Sequence, residues 1–584
     1  MQTALSASKS NFASRILGLC GVGVTIVVNP WFAYDPINLS KMMVLSTVAS
    51  IMFAGLVFKW RNLFRAPSAI LILLSIFLLA MFISAVANKA PLSQELYGTW
   101  GRSTGLITYV SLVIVAFYTA SMVQRGDVAL LRRVFERLSY FVTIYTLIQW
   151  ADIDPINWSQ KLMVATLGNI NFMSSFLGMA SCTFLVRIFV DSIPIHSKAF
   201  FASMVALNLL LIKFSDSIQG LAIFLVGCWL VLSLLVRRKL GKAKMMFFAL
   251  FTAAGGLFVL LGTAGLGPLR ALRQDTVIFR IDYWKAGWSM ARDNALFGVG
   301  IDSYGDFYRQ YRDLDAVIRT GPQRVTNTAH NIFLDLSSGS GIAVGIAFFL
   351  VICFLTVFVF KNLYQDAFDE HAIAWSTIFL GYVVFCLISI NQIGVAVWGF
   401  IAIGIIAGEM RLMKTTSDSI ESDQKKFRVQ GYVASTIKVK KKNWEKIGSN
   451  SQSFGQALMS VVVALVVFYL TFIPNLVDSK FLSAIRSNDL NRALKLSDDF
   501  GAMDFHREIL MQRLKGAGKS SDSLILAKET VLRNPRNWSG WVEIALNPDS
   551  SDIDRKVAVE NLLKLDPNNE LTRSELELVL EELD

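Results

Sequence analysis

The sequence predicts an all-α protein that crosses a membrane many times. Of its 584 residues, 54% are hydrophobic and only 17% are charged, whereas soluble globular chains carry about 25% charged residues. The apolar residues come in uninterrupted runs of roughly 17–22, long enough to cross the hydrocarbon core of a bilayer as helices. The net charge of +12 is concentrated between these runs. It therefore indicates membrane topology and not nucleic-acid binding.

The apolar runs predict about thirteen transmembrane helices. The first is not a cleavable signal peptide, because no small-residue cleavage site precedes the aromatic segment that follows it. All five cysteines fall inside apolar runs without metal-ligand spacing, so we expect small core residues and not a disulfide framework. The predicted spans are 13–29, 42–58, 67–87, 106–123, a short segment before 150, 171–190, 199–214, 218–236, 245–266, 339–360, 372–390, 393–409 and 455–473.

The distribution of lysine and arginine predicts which connections lie inside the cell. Basic connections all fall on one side if the N-terminus is inside, and that side is cytoplasmic because basic residues are retained there. These are residues 59–65, 124–138, 237–244 and 410–454, the last with a lysine cluster at 438–442. The connections predicted to lie outside are 30–41, 88–105, 151–170 and 267–335, together with everything after 474.

Two domains are predicted. Residues 1–474 form the transmembrane domain, with a large outer segment at 267–335 and a basic cytoplasmic linker at 410–454. Residues 475–584 form a hydrophilic extracytoplasmic tail of short paired helices. Asn-Pro and Asp-Pro steps about 30 residues apart in this tail are typical of degenerate tetratricopeptide-like repeats, which bind a protein partner or rigidify a neighbour.

The polar stretch 267–345 is the most unusual part of the sequence. Orientation bias does not explain arginines outside the membrane, and seven nearby aspartates are expected to pair with about half of them. The guanidinium group matches phosphate oxygens, so the others predict a site for a pyrophosphate or a phospholipid headgroup. The eight arginines are Arg270, Arg273, Arg280, Arg292, Arg309, Arg312, Arg319 and Arg324.

His330 is the candidate catalytic residue. Among the four histidines, it alone stands between an outer polar segment and an apolar helix. A lone histidine is more often structural, but ionisable groups at membrane level are costly and tend to be functional. A neutral imidazole there could take a proton from an attacking hydroxyl. We expect no cofactor and no metal. The metal-binding alternatives are two aspartate pairs, Asp152 with Asp154 and Asp313 with Asp315.

The stretch AHNIFLDLSSGSGIAVG resembles the signature of the O-antigen ligase and O-antigen polymerase superfamily, which includes bacterial O-linked oligosaccharyltransferases. The matching positions are His330, Asn331, Gly341 and Gly345. FRIDYWKAGWSMARDNALFGVGIDSY is similar to the family's arginine-led helix and Gly-Val-Gly turn. TLGNINF (166–172) resembles a further family segment.

The resemblance implies a metal-independent, GT-C-like membrane glycosyltransferase of cell-envelope polysaccharide biosynthesis. It would transfer a glycan from a polyprenyl-diphosphate (undecaprenyl-diphosphate) donor to a hydroxyl of a glycan, lipid or protein. The reaction would take place on the outer, periplasmic side of the bacterial cytoplasmic membrane. By the same resemblance His330 is the general base and Arg280 the diphosphate ligand, with Arg319 and Arg324 as nearby reserves. Arg102 is a further candidate ligand, with an interfacial snorkelling arginine as its alternative.

The sequence departs from the family at one position. Many members carry an arginine where this chain reads FSDSIQG, with Ile218 and Gln219. Either Lys213 or Arg102 supplies that charge, or the donor is held differently. Asn331 and Gln219 are expected to support the site.

Two other functions are compatible with a polytopic chain. A flippase or other transporter of lipid-linked oligosaccharide would also recognise a diphosphate, but it should show matching halves and ionisable residues in mid-span. A scaffold that displays the tail would not need the polar stretch 267–345. Neither alternative fits the sequence as well as the enzyme, and the acceptor stays open.

Overall fold

A computed structural model of the protein describes residues 12–58, 67–156, 158, 162–430, 451–570, 573–574 and 576–578. Within these residues the regular structure is helical, without a β-strand. The first ten α-helices in chain order are α1 (Phe12–Ile26), α2 (Asn38–Phe58), α3 (Ser68–Ala87), α4 (Leu92–Tyr97), α5 (Leu106–Met122), α6 (Arg125–Trp150), α7 (Ile170–Phe189), α8 (Ile195–Phe214), α9 (Ile218–Leu240) and α10 (Lys242–Thr263).

The rest of the described chain divides into an outer segment, a second group of apolar helices and the tail. The outer segment holds α11 (Asp275–Asp293), α12 (Tyr304–Tyr311), α13 (Leu314–Thr320) and α14 (Ile332–Ser340). The apolar helices are α15 (Ile342–Gln365), α16 (Glu370–Ile388), α17 (Ile393–Gln430) and α18 (Ser451–Arg486). The tail holds α19 (Leu490–Leu496), α20 (Asp504–Gly516), α21 (Ser520–Arg533), α22 (Trp538–Leu546) and α23 (Asp552–Leu565).

Ten helices of the described chain are long and apolar enough to cross a membrane: α2, α3, α7 to α10 and α15 to α18. The prediction of a multi-pass membrane protein is confirmed. The count of thirteen stays a prediction, because the three further spans coincide with α1 and α5, which are apolar but short, and with α6. The basic connection at 59–65 and the lysine cluster at 438–442 lie outside the described residues.

The prediction of a connection at 124–138 is wrong, since α6 begins at Arg125 and is continuous to Trp150. Its Arg132 is fully buried, with Nε 2.9 Å from Glu136 and Nη2 2.9 Å from Asp191. Arg187 on α7 pairs with the same two carboxylates, at 2.9 and 2.8 Å. The network joins α6 to α7. A prediction from hydropathy assigns charged residues to the connections between helices. A charged side chain can nevertheless be buried between helices when oppositely charged partners surround it.

The apolar helices differ widely in how deeply they are buried in the bundle. The apolar part of α17 is 94% buried, whereas that of α10 is 11% buried. Accordingly α10 lies at the periphery and α17 in the centre, between α1, α5 and α16. The short junction between α16 and α17, residues 389–392, also lies inside the bundle, since Ser389, Asn391 and Gln392 are all buried.

The outer segment and the tail each have a core of their own. Apolar residues of α11 and α12 pack around Tyr304 and Tyr308, and α11 lies against α14. In the tail, successive helices from α20 to α23 pack on one another. The helix α18 passes residue 474 without interruption and reaches Arg486, so one helix joins the two predicted domains. The tetratricopeptide-like character of the tail stays a prediction.

Candidate functional site

The Gly-Val-Gly turn fixes the outer segment to α14. The amides of Val299 and Gly300 donate to the carbonyls of Ser338 and Gly339 at 2.8 and 2.9 Å. Gly298 has φ +69°, and a Cβ there would lie 2.4 Å from the carbonyl carbon of Gly339. Only glycine fits a left-handed residue in such close backbone contact. The turn therefore holds the helix that follows His330.

Replacing Gly298 with alanine is expected to lower the free energy of unfolding by at least about 2 kcal/mol, because φ strain adds to a backbone clash. Thermal unfolding of the purified protein measures this change. The matched control is Gly255→Ala in α10, where an added Cβ meets no atom. Equal melting temperatures for the two variants would contradict the fixed turn.

Arg102 is drawn into the site by the residues after this turn. Asp302 accepts hydrogen bonds from the Thr99 amide (2.7 Å) and Thr104 Oγ1 (3.0 Å), and it forms an ion pair with Arg102 Nη1 at 3.6 Å. Arg102 Nη2 also donates to Asn327 Oδ1 at 2.5 Å. Its side chain is only 8% exposed, which does not match a snorkelling arginine whose guanidinium reaches water.

His330 occupies a turn that Asp335 holds in place. The backbone is left-handed at His330, with φ +53°. Asp335 accepts from the Ala329 amide (2.7 Å) and Thr328 Oγ1 (2.5 Å), and that hydroxyl accepts from the His330 amide at 3.1 Å. The imidazole stacks beside Tyr283, with ring centroids 5.7 Å apart. These contacts fix the direction of the ring.

The electrostatic surroundings keep the His330 imidazole neutral. Burial lowers its pKa to about 3, and the positive charges of Arg102 and Arg280 act in the same direction. Arg102, Arg280 and His330, which the sequence proposed from distant segments, therefore lie close enough to interact electrostatically. Burial raises the pKa of Asp335 to about 6, against the effect of Arg102. A neutral imidazole beside two guanidinium groups can accept a proton while they hold an anion.

Unlike Arg102, Arg280 forms no ion pair with any residue that the structure describes. It is partly buried on α11, and its Nε is shielded from solvent without a hydrogen-bond partner in the described part of the chain. Burial lowers its pKa, which means that its charge is poorly solvated. A buried donor without an acceptor is costly. A bound anion would supply the missing acceptor.

The other seven arginines of the outer segment are arranged differently. Five of them form ion pairs: Arg273 with Asp275, Arg292 with Asp293, Arg319 with Asp282, and Arg309 and Arg312 with Asp566 of the tail. Arg270 and Arg324 are exposed and form no ion pair with the described residues, and Arg324 lies 5.5 Å from the Phe279 ring centroid. Of the two reserves, Arg319 is thus already bound bidentately to a carboxylate, and Arg324 lies at the surface.

Asn331 and Gln219 support the site by binding the end of α16. Asn331 caps α14 through the Leu334 amide at 3.1 Å, and its Nδ2 donates to the Leu387 carbonyl at 3.1 Å. The Nε2 of the buried Gln219 donates to the next carbonyl, that of Ile388, at 3.3 Å. No ion pair or side-chain hydrogen bond joins the exposed Lys213 to these described groups. Arg102 is therefore the better candidate for the charge that the family places near Gln219.

The aspartate pairs considered for metal binding are engaged in local contacts. Asp154 accepts from Tyr145, Gln149 and Trp158. Asp313 caps α13 and pairs with Lys285 at 3.2 Å. Across the described residues no three His, Cys, Asp or Glu side chains are arranged to hold a metal ion.

A cavity of about 410 Å³, open to solvent, lies beside Arg102. It is lined by the TLGN turn, by the loop that carries Arg102 and by the α16–α17 junction. Asn391 in that junction is 3% exposed, and its Nδ2 has no hydrogen-bond partner among the described residues. A much smaller cavity of about 30 Å³ is also lined by Arg102 and Asn391, together with Asp335.

The sequence reasoning missed Asn391 and its neighbour Gln392. The signal was present, since SINQIG places two amide side chains in the short break between two apolar runs. Amides in such a break are expensive unless they meet polar partners. A substrate with hydroxyl groups would provide those partners.

A family model described as O-antigen ligase matches residues 201–350, which contain Arg280, the Gly-Val-Gly turn and His330 but not Arg102. No curated protein is significantly similar to the chain. The match confirms that the segment carrying His330 resembles the O-antigen ligase and polymerase superfamily.

Proposed function

We propose that this protein transfers a glycan from a polyprenyl-diphosphate-linked donor to an acceptor hydroxyl on the outer face of the bacterial cytoplasmic membrane. The family match supports glycan transfer of the O-antigen ligase or polymerase kind. One observation carries the finer proposal: the partly buried, neutral imidazole of His330 is under the electrostatic influence of two guanidinium groups, and the shielded Nε of one of them, Arg280, has no hydrogen-bond partner among the described residues. That arrangement fits a base beside a diphosphate.

The residues suggest how the transfer proceeds. As the acceptor oxygen attacks the anomeric carbon of the donor sugar, His330 takes the hydroxyl proton. The bond from that carbon to the diphosphate oxygen breaks, and the polyprenyl diphosphate leaves with the electron pair. Arg280 and Arg102 stabilise the negative charge that grows on the leaving oxygen. The imidazolium then returns its proton to water.

In vitro transfer tests this function. Purified full-length protein in lipid nanodiscs is mixed with lipid-linked glycan and with three acceptors in turn: a lipid core oligosaccharide, a hydroxyl-bearing protein, and the donor glycan itself. We expect release of polyprenyl diphosphate together with glycan transfer to one acceptor. Failure to consume the donor with all three would overturn the proposal. Movement of intact donor across proteoliposomes without transfer would favour the flippase.

The proposed outer location of the site predicts a labelling pattern. Cysteines replacing Ile318 of α13, which is 73% exposed, or Leu532 of the tail, which is 81% exposed, should react with an impermeant thiol reagent in spheroplasts. A cysteine at the exposed Lys239, at the end of α9, should react only after lysis. Cys228 and Cys353, the partly buried native cysteines, are replaced by alanine beforehand. The reverse pattern would place the site inside.

A further inference from the structure

A separate polar cavity lies where the tail meets the outer surface of the membrane domain. It measures about 180 Å³ and is open to solvent. One wall is the segment around Gln94 and Trp100, and the other is the start of α20 with Phe505 and Glu508. The transfer mechanism uses none of these side chains.

The walls of this cavity are held by buried contacts. The rings of Trp100 and Phe505 stack at 3.5 Å between centroids. Asp478, fully buried on α18, accepts from Trp100 Nε1 at 3.2 Å. The same carboxylate oxygen lies 3.0 Å from His506 Nε2, while His506 Nδ1 accepts from the Met503 amide at 3.1 Å. Because Nδ1 is an acceptor, Nε2 carries the hydrogen. The cavity is therefore preformed, which favours a binding site.

Carboxylates and amides provide the polar lining. Asp306, Asp504 and Glu508 all face the cavity. They accept from amide groups: Gln94 Nε2 to Asp306 at 3.1 Å, Asn534 Nδ2 to Asp504 at 2.7 Å and Asn537 Nδ2 to Glu508 at 2.9 Å. None of the three carboxylates forms an ion pair with a described residue, although the charges of Arg507 and Arg536 act on Asp504 and Asp306 from a greater distance.

This lining selects a chemical class of ligand. Carboxylate oxygens with spare lone pairs accept hydrogen bonds from hydroxyl groups, and the edges of Trp100 and Phe505 offer apolar contact. Burial, together with the charge of Asp504, raises the pKa of Asp306 and of Glu508 to about 7. The described lining contains no lysine or arginine, so no positive charge in it would balance an additional anion. The combination suits the hydroxyls and C–H faces of neutral sugars and disfavours acidic ones.

The cavity also adjoins the candidate active site. Trp100 lines both this cavity and the larger one beside Arg102, and Arg102 follows it by two residues. A chain molecule held at the tail can thus extend past Trp100 toward Arg102. The close packing of the tail on the 91–100 segment is consistent with this arrangement.

We infer that the cavity between Gln94, Trp100, Asp306, Asp504, Phe505 and Glu508 binds the distal, neutral sugars of the glycan on which the protein acts. The inference rests on the proposed function, because it assigns a substrate subsite to that reaction. It makes the tail a glycan-binding element, where the sequence alone suggested a protein partner.

Equilibrium binding of a diphosphate-free glycan tests the inference. The probe is the oligosaccharide released from the lipid-linked donor by mild acid and labelled at its reducing end, and the full chain is held in nanodiscs. We expect saturable binding that weakens about tenfold or more in the double variant Asp306→Asn, Glu508→Gln, which removes carboxylate acceptors. Ser93→Trp, which fills the cavity from the opposite wall, should abolish binding.

Two controls separate this site from the transfer site. Glu529→Gln, at an exposed carboxylate of α21, should bind the probe as the unaltered protein does. Arg280→Ala should lose transfer and keep probe binding, since the probe has no diphosphate. Unchanged affinity in the double variant and in Ser93→Trp, with both correctly folded, would overturn the inference, and so would failure of the unaltered protein to bind. The unaltered protein could also bind the probe, and lose that binding in these variants, without showing any transferase activity. This outcome would support the sugar subsite and reject only the proposed transfer reaction.

Discussion

Replacing His330 with alanine is expected to lower the rate of glycan transfer by about 10²–10⁴-fold, the range that a general base contributes. The imidazole is partly buried, is fixed by its turn and by Tyr283, and is neutral. Its loss leaves the acceptor hydroxyl without a base. Turnover with purified lipid-linked donor measures the effect, and donor affinity should change little. His196→Ala, at an exposed histidine at the start of α8, is the matched control. Full activity of His330→Ala would reject its role.

The role of His330 as a base also predicts how activity changes with pH. An ordinary histidine has a pKa near 6.5, and a base with that value loses activity as the pH falls through it. The pKa of His330 is about 3 in the protein without donor, so protonation of this imidazole should add no acid limb to kcat/KM between pH 8 and about pH 5. A bound diphosphate neutralises the guanidinium groups and raises the pKa of the imidazole. The acid limb of kcat should therefore lie at higher pH than that of kcat/KM.

The arginines of the outer segment show what sequence reasoning could reach and where it stopped. The expectation that about half would form ion pairs is close to the outcome, because neighbouring aspartates such as Asp282 were visible in the sequence. The partner of Arg309 and Arg312 was not, since Asp566 lies about 250 residues away in the tail. Arg102 likewise meets Asp302 and Asn327 only through folding. A sequence counts charges but does not show which of them are neutralised.

The helix positions were likewise predictable only where local sequence decides them. Where an apolar run alone decides a helix, the predicted span and the observed helix agree within a few residues, as for 67–87 and Ser68–Ala87. The agreement fails where polar residues continue a helix. In α6 a buried ion pair stabilises the polar part, and in α18 Asp478 contacts His506 of the tail. Asn391 was overlooked for a related reason. Its amide is notable because it is buried without a hydrogen-bond partner among the described residues, and hydropathy does not show which residues are buried.

Replacing Arg280 with alanine is the second large effect, an expected loss of about 10²–10³-fold in kcat/KM for the lipid-linked donor. The guanidinium is partly buried without an ion pair in the described chain, so a bound diphosphate is its natural partner. Arg280→Lys should recover only part of the activity, because an ammonium group lacks the planar fork that binds two phosphate oxygens. Arg270→Ala is the matched control, since Arg270 is exposed and equally free of ion pairs to described residues. We expect its activity to change less than about twofold.

The pH profile of Arg280→Ala distinguishes a ligand in the site from an arginine that merely stabilises the fold. Arg280 is one of two positive charges that lower the pKa of His330. Its removal should raise that pKa, so the acid limb of the residual kcat/KM should move up toward pH 6.5, whereas Arg270→Ala should leave the limb in place. A variant that is simply less stable would lose activity at every pH without moving the limb. An Arg280→Ala profile with an unmoved limb and unchanged donor affinity would separate Arg280 from His330 and require another cation for the diphosphate, with Arg102 the one already in place.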